Sequence, residues 1–359
     1  MKKIINTKGG EKLMVYIGMD LHKNTSTFTV KNPDGKLIDI FKADTEPSAI
    51  KGYLKKFSKK SELVLEPVSQ WYFYANLIQD LNIGVHLANP LKVKAIALAR
   101  IKTDKIDSGV LCDLLRSNLL PEAYFASPEV RNWKEMVRFR ASLIHLRTQI
   151  KNKIHGLLFK NALHHPFSNL FGVAGRKWLE SLDLGEHFQF NLKHYLIALD
   201  LFDQLIKEAN KKREQTVSDH PQAKLLITIP GISYCSGLTI MAEIGDINRF
   251  PSAKKLQGYA GLVPSTYSSG DRQAHGRITK QGSRWLRWTM TEIAQRQLLC
   301  KKTPGFGWYY QRIKQRKGSG AAAVATARKL LAVVWRLLKD NRPFEVIPPK
   351  RVGSPGCSP

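Results

Sequence analysis

Residues 14–20, MVYIGMD, form a short apolar run that ends in the acid Asp20. Two more runs of the same kind follow at 25–31, TSTFTVK, and at 36–41, KLIDIF, with a Pro-Asp-Gly turn at 33–35 between them. Short runs rich in apolar and β-branched residues, bounded by turn residues, are typical of β-strands. The three runs therefore predict a β-meander at the start of the chain.

Helix and strand patterns alternate after this meander. A meander followed by alternation favours a mixed α/β sheet, with helices covering its strands. The predicted helices span 47–57, 71–81 and 104–115, and the predicted strands span 62–68 and 84–88, the second closed by Asn89-Pro90.

Two long helical patterns occupy the middle of the chain. Apolar residues recur at steps of three and four from Arg131 to Leu163, and again from Leu192 to Ile206. This spacing predicts two helices of an antiparallel or coiled-coil arm. Basic residues decorate the first helix, and a solvated helix face explains them as well as ligand binding does.

The last third of the chain is predicted to be mostly helical. Residues 225–250 read as helix, Pro-Gly hairpin and helix, similar to a helix-hairpin-helix element in which hairpin amides such as that of Gly231 hold backbone phosphates. An ordinary helix–helix turn explains the pattern equally well. We expect a short helix at 252–262, a polar loop region at 261–284, and further helices from Trp285 and from Ala321.

The charge of the chain is strongly positive. It has 57 Lys and Arg against 29 Asp and Glu, a net charge of +28, and residues 251–359 alone carry 21 basic and 4 acidic side chains. This argues against an enzyme for small neutral substrates and points to a polyanion, most often nucleic acid. An anionic membrane surface would call for an anchored amphipathic helix or a lipidation signal, and we find no convincing case of either.

The four cysteines are far apart and form no CxxC pair, so we expect neither a structural zinc site nor a disulfide framework. The N-terminus lacks the apolar run of a signal peptide. The apolar stretch 321–338 is interrupted by Arg328, Lys329 and Arg336, which predicts a packed helix and no membrane span.

Four carboxylates of the first domain could form one site. Asp20 ends the first predicted strand, Glu66 lies near the end of the fourth, and Asp104 and Asp107 share one face of the next helix. Such a cluster repels itself unless cations neutralise it. Two Mg²⁺ ions ~3.5–4 Å apart would do so and would stabilise the attacking and leaving oxygens of phosphodiester chemistry. Separate roles, as a turn acid, a surface acid and two helix N-terminal acids, are the alternative.

A serine-rich loop in the basic region is a second candidate site. Ser268 and Ser269 precede Gly270, and a serine hydroxyl needs activation before it can act as a nucleophile. Nearby arginines would bind a scissile phosphate and stabilise the charge that builds during transfer. A serine-rich turn in a basic loop is the alternative. The candidate nucleic-acid contacts are Gly231 of the hairpin and Arg272, Arg277, Lys280, Arg284 and Arg287.

Taken together in order and spacing, these motifs resemble the DEDD-motif transposases of bacterial insertion sequences, the bridge-RNA-guided serine recombinases. The resemblance runs over roughly residues 15–344. The stretches that carry it are VYIGMDLHK at 15–23, LEPVSQWY at 65–72, NP at 89–90, KTDKIDS at 102–108, IPGIS at 229–233, AEIGDINRF at 242–250, YAGLVPSTYSSG at 259–270 and GRITKQGSRWLR at 276–287.

The resemblance implies a domain for each part of the chain. Residues 14–128 would form a RuvC-like, RNase H-type α/β domain, 129–220 a helical coiled-coil region, and 221–345 the C-terminal transposase domain. The Pro-, Gly- and Ser-rich composition of residues 346–359 separately predicts a flexible tail. The family's DEDD carboxylates, which are both catalytic and metal-binding, fall on Asp20, Glu66, Asp104 and Asp107.

The family's serine nucleophile falls on Ser269, directly before Gly270. Because Ser268 is also a serine, the alignment leaves it as the alternative nucleophile. The sequence departs from the family pattern at Glu66-Pro67-Val68-Ser69, where Glu-Ala-Thr-Gly is usual, and at Ser108, where alanine is usual. Neither departure removes a carboxylate.

The implied activity is DNA transposition through a phosphoserine intermediate. The resemblance implies Mg²⁺ as cofactor, two ions with Mn²⁺ possible. The implied partners are double-stranded target and donor DNA, a structured guide RNA encoded by the element, and further copies of the chain in a dimer or tetramer. We expect a cytoplasmic, nucleoid-associated bacterial protein without a membrane partner.

Two other functions remain open at this point. A metal-dependent Holliday-junction-type nuclease would use water at the acidic cluster and would form no serine intermediate. A non-catalytic RNA- or DNA-binding protein, left by a decayed element, is disfavoured because all four acids and the serine are present.

Overall fold

The structure is a computed structural model that describes residues 14–57, 60–96, 103–269, 272–300 and 306–345. The chain divides into two compact units between Phe125 and Ala126, called here the N-terminal and C-terminal units. Gly270 and the predicted tail at 346–359 lie outside the described residues.

The N-terminal unit is built on a mixed five-stranded sheet of order β3-β2-β1-β4-β5. β1, β2 and β3 are antiparallel neighbours, whereas β4 and β5 run parallel to β1. The strands are β1 Val15–Leu21, β2 Thr25–Lys31, β3 Leu37–Asp44, β4 Ser61–Leu65 and β5 Gly84–Leu87. The prediction of a mixed α/β sheet opened by a meander is confirmed.

Four α-helices accompany this sheet in the described residues: α1 Pro47–Leu54, α2 Trp71–Gln79, α3 Pro90–Ile96 and α4 Asp104–Arg116. α3 was not predicted, because Asn89-Pro90 was interpreted only as the end of a strand. Proline is also well suited to the first helical position, since its missing N–H has no partner there.

The two faces of β1 pack against different elements. Ile17, Met19 and Leu21 are buried in the main apolar core, which they share with α1 and α2. Gly18 lies on the opposite face against α4, because a Cβ atom built at Gly18 would lie 1.9 Å from the carbonyl oxygen of Ser108. The backbone of α4 therefore contacts the sheet directly, which only glycine permits.

The seam between α4 and the sheet is also closed by polar contacts. The buried hydroxyl of Ser108, where the family pattern has alanine, lies 2.8 Å from the hydroxyl of Thr29. The thiol of Cys112 donates to the carbonyl of Tyr16 at 3.2 Å. These contacts satisfy buried polar groups, so this departure from the family pattern fits the seam.

Gly18→Ala is expected to lower the free energy of unfolding by about 1–3 kcal/mol, because the added methyl group must push α4 off the sheet. Thermal unfolding of the full chain measures the effect. Gly109→Ala is the matched control, since Gly109 lies on α4 with open space at its Cβ position, and helix propensity predicts equal or greater stability. Equal melting temperatures for the two variants would contradict the direct helix–sheet contact.

The C-terminal unit is mostly helical, as predicted. α5 and α7 pack antiparallel. Arg140 Nε donates to Asn210 Oδ1 at 2.5 Å, and Arg147 Nη1 donates to Asp203 Oδ1 at 2.6 Å. Residue numbers therefore increase along α5 in the direction in which they decrease along α7. Its helices are α5 Pro128–Lys160, α6 Val173–Ser181, α7 Glu186–Val217, α8 Pro221–Ile227, α9 Tyr234–Ile244, α10 Ala253–Tyr259, α11 Arg284–Arg296 and α12 Gly307–Asp340. No helix of the described residues combines the length and apolar character needed to cross a bilayer.

One prediction for this unit was wrong. The expected loop region at 261–284 contains an antiparallel hairpin of β6 Pro264–Ser269 and β7 Arg272–Ile278. Thr266, Ala274 and Arg277 of this ribbon are exposed, and a polar two-stranded ribbon lacks the apolar alternation by which strands are recognised. The last helix begins at Gly307, and the non-helical backbone of Gly318 divides it into two segments. The second segment agrees with the helix predicted from Ala321, whereas the first, residues 307–317, was not predicted.

Candidate active site

Asp20 lies at the end of β1, on the face that α4 covers, with 16% of its side chain exposed. His22 Nε2 lies 3.1 Å from Asp20 Oδ2 and 3.8 Å from Asp104 Oδ1. The imidazole therefore stands between a carboxylate of the sheet and a carboxylate of the helix.

Asp104 is the first residue of α4, and Thr103 caps this helix by accepting from the amide of Ile106. Lys42 Nζ donates to Asp104 Oδ2 at 3.0 Å. Lys42 reaches this position by sheet register, because Asp20 pairs with Thr27, and Thr27 pairs with Lys42. Cross-strand partners share a face, so Lys42 and Asp20 lie on the same side of the sheet.

The charges of the cluster affect each other. Burial raises the pKa of Asp20, and the negative charges of Asp104 and Asp107 add to this rise, while His22 opposes it. The hydrogen bond and positive charge of Lys42 lower the pKa of Asp104. Asp107 thus lies close enough to Asp20 to act on its proton affinity, one helical turn from Asp104.

Glu66 follows β4 directly, and the last registered pair of β1 and β4 is Met19 with Leu65. Asp20 and Glu66 are therefore the next residues along two adjacent parallel strands, at the same edge of the sheet. The amide of Val68 donates to the carbonyl of Glu66 at 2.8 Å, so the chain turns at Pro67. The segment Glu66-Pro67-Val68-Ser69, which differs from the usual family sequence, therefore forms a turn that leads into α2.

The donor set of this cluster fits a divalent cation. One ligand atom each from Asp20, His22 and Asp104 lies within 4.8 Å of the others, and carboxylate oxygens with an imidazole nitrogen suit several divalent metals. Sequence reasoning missed His22 and Lys42. His22 stands two residues after the acid that ends β1, which was a usable signal, whereas Lys42 becomes visible only when the register of three strands is known.

The predicted nucleophile lies in the other unit. Ser269 is the last residue of β6 and pairs with Arg272, the first residue of β7, and Ser268 pairs with Gln273. The exposed Arg277 stands further along β7, where its carbonyl accepts from the hydroxyl of Ser265.

The remaining predicted nucleic-acid contacts fall into two groups. Lys280 and Arg284 are exposed, and the guanidinium of Arg284 lies 5.2 Å from the ring centroid of Trp285. Arg287, in contrast, is half-buried, and its Nη1 donates to the carbonyl of Ala260 at 2.9 Å. This bond ties α11 to the end of α10.

Gly231 lies between α8 and α9 with φ of +84°, a conformation that favours glycine. Gln297 Nε2 donates to the carbonyl of Pro230 at 2.5 Å, and Gln297 also approaches Gly231 closely. The predicted hairpin is therefore present between two helices, and one of its sides packs on the residues that follow α11.

Two family models match this chain. One, DEDD_Tnp_IS110, described as a transposase, matches residues 17–160, which include the whole acidic cluster. The other, described as the transposase IS116/IS110/IS902 family, matches residues 223–311, which include the β6–β7 hairpin.

Similar proteins carry related descriptions. A "Probable family 20 transposase" of Pseudomonas aeruginosa is 24% identical over 90% of this chain and 96% of its own length. The transposase for insertion sequence element IS1111A of Coxiella burnetii is 24% identical over 77% of this chain and 76% of its own. A pilin gene-inverting protein of Moraxella bovis is 27% identical over 73% of this chain and 74% of its own.

These matches define the protein as a DNA transposase, an enzyme of DNA recombination. Within that class, the chain belongs to the IS116/IS110/IS902 family of insertion-sequence transposases.

Proposed function

We propose that this transposase cuts and rejoins DNA through a phosphoserine intermediate on Ser269, with an Mg²⁺-dependent acidic cluster and a structured RNA of the element as guide. The observation that carries the proposal is the convergence of Asp20 and Asp104 at one edge of the mixed sheet. The strand order β3-β2-β1-β4-β5 supports a RuvC-like, RNase H-type domain.

The acidic cluster would hold the metal through Asp20 and Asp104, with Glu66 and Asp107 beside them. A divalent ion bound there supplies positive charge to the attacking and leaving oxygens of a phosphodiester. His22 contacts both carboxylates and Lys42 contacts Asp104, so these side chains orient the two groups, and Lys42 balances the charge of Asp104. Mn²⁺ would serve as well, since carboxylate ligands accept both ions.

The serine step conserves phosphodiester bonds. Ser269 Oγ would lose its proton and attack the DNA phosphorus, and the alcohol of the cleaved strand would leave with a proton. A hydroxyl of the partner strand would then attack the phosphoserine and release Ser269. Each step exchanges one ester for another, so the reaction needs no external source of energy.

The basic residues around the hairpin would hold the DNA backbone. Arg277, Lys280 and Arg284 are exposed and would reach phosphates, and Arg287 would position the neighbouring loop through Ala260. Arg272 is proposed as a further phosphate contact. Contacts of this kind fix a duplex without reading its sequence. Base pairing by the guide RNA would then choose the target and donor sites.

The cluster and the serine belong to different compact units. The active species would be a dimer or tetramer. The family's target sites would require two DNA duplexes, and two copies of the chain would supply one serine to each.

A denaturing gel with end-labelled DNA, guide RNA and Mg²⁺ tests the proposal. We expect a labelled species that migrates with the protein and disappears after protease treatment or when EDTA is added at the start. The nuclease alternative, in which water attacks at Asp20 and Asp104, would give shortened DNA without any attached protein and would overturn the serine mechanism.

A further inference from the structure

The N-terminal segment of α12, residues 307–317, is set apart from the rest of this helix by a kink. Gly318 adopts φ of 80° and ψ of 170°, a region of backbone space that is essentially restricted to glycine. Tyr310, only 4% exposed, packs against Ala322 and Ala323 beyond the kink. The segment is therefore held against its own helix and presents a fixed outer face.

An exposed tryptophan stands on this outer face. Trp308 is 69% exposed, and the guanidinium of Arg312 lies 4.7 Å from its ring centroid. The neighbouring Tyr309 ring lies 4.2 Å from Lys329 Nζ. Cation–π contacts of this kind hold aromatic rings and cations in a defined arrangement.

The segment carries positive charge that no acid within it balances. The stretch from Gly307 to Lys339 contains no Asp or Glu, and the first acid after it, Asp340, pairs with Arg336 and Arg342. The exposed basic residues of the segment form no ion pair within the described part of the chain; they are Arg312, Lys314, Arg316 and Lys317.

We propose that residues 307–317 bind single-stranded DNA, with Trp308 stacked on an unpaired base and the basic residues on the adjoining phosphates. Positively charged grooves with exposed aromatic rings are the usual means of holding unpaired strands without sequence preference. A base inside a duplex is already stacked on both faces, so Trp308 selects for unpaired DNA.

DNA is the occupant because the family acts on DNA, and strand exchange separates its strands. The proposal rests on that DNA substrate and is independent of Ser269 and of the metal. The matched family region ends at residue 311, so Arg312 to Lys317 add a contact beyond it.

Fluorescence anisotropy of a labelled single-stranded oligonucleotide tests the proposal on the full chain without Mg²⁺ or guide RNA. Trp308→Ala is expected to weaken binding about 5- to 150-fold, the loss that removing one stacked base brings, while Trp308→Phe retains most of it. Phe73→Ala is the matched control, because Phe73 is an aromatic residue of α2 that is 56% exposed. Binding of the same sequence as a duplex should change less than about twofold, since duplex contacts depend on phosphates.

The charged residues have a separate test. Arg316→Gln with Lys317→Gln should lower the slope of log affinity against log salt for single strands by about 0.7 for each lost phosphate contact. Lys51→Gln with Lys94→Gln, two exposed lysines of the N-terminal unit, is the charge-matched control.

Several results would overturn the assignment. One is unchanged single-strand binding by Trp308→Ala, and another is an equal loss on duplex DNA. A loss on single-stranded RNA but not on single-stranded DNA would assign the surface to RNA and reject the DNA occupant. Ser269→Ala should bind the single strand like wild type, so failure of the serine mechanism would leave this result standing.

Discussion

Asp20→Asn is expected to abolish strand exchange while raising the melting temperature of the metal-free protein at neutral pH. The exchange is lost because the amide supplies no negative charge to a divalent ion. The melting temperature rises because burial and the charges of Asp104 and Asp107 make the Asp20 carboxylate unfavourable, as its raised pKa indicates.

The pH dependence follows from the direction of this pKa shift. A raised pKa means that the folded protein binds the proton of Asp20 more tightly than the unfolded chain does. The stability contributed by this group is full below the unfolded pKa and is lost as the pH rises through the folded pKa. The stabilising effect of Asp20→Asn should therefore be largest at neutral pH and should fade on acidification.

Melting curves with and without Mg²⁺ complete this test. Mg²⁺ should raise the melting temperature of the wild-type chain, since a ligand of the folded state stabilises it, and should have little effect on Asp20→Asn. Asp80→Asn is the matched control, because Asp80 is an exposed acid at the end of α2. Strand exchange by Asp20→Asn at the wild-type rate would remove the acidic cluster from the mechanism.

Ser269→Ala is expected to form no covalent adduct with DNA, while its binding to RNA and duplex DNA stays at the wild-type level. The replacement removes one oxygen atom at the end of β6 and leaves the backbone pairing with Arg272 possible. The measurement is the denaturing gel, read beside a binding assay of the same preparation.

Ser268→Ala is the matched control for this variant, because the two serines are neighbours on the same strand. It should form the adduct at close to the wild-type yield. An adduct lost only in Ser268→Ala would move the nucleophile by one residue. Recombination by both variants would exclude a serine intermediate and leave the nuclease reaction as the explanation.

The sequence predicted best those features that depend on neighbouring residues. The apolar run before Asp20 and the i, i+3 spacing of Asp104 and Asp107 are local patterns, and both carboxylates of α4 lie in its first turn as expected. Lys42 was missed because its contact with Asp104 spans 62 residues and requires the pairing of three strands.

One further difference has an equally physical reason. The β6–β7 hairpin was predicted as a loop, because its polar sequence shows no apolar alternation. Arg287 was predicted as a nucleic-acid contact from its position in a basic stretch. The structure adds a bond to the carbonyl of Ala260, a local contact that composition cannot reveal, and the nucleic-acid contact stays a prediction.

A buried cysteine thiol at the contact between α4 and the sheet can report on the opening of that contact. The Cys112 thiol is fully buried there, and burial raises its pKa to about 11, so alkylation requires the helix to lift before the sulfur can ionise. Because α4 carries Asp104 and Asp107, each lifting event also separates them from Asp20. The rate of thiol labelling at Cys112 therefore reports the separation of α4 and its two carboxylates from Asp20, in a protein that is otherwise folded.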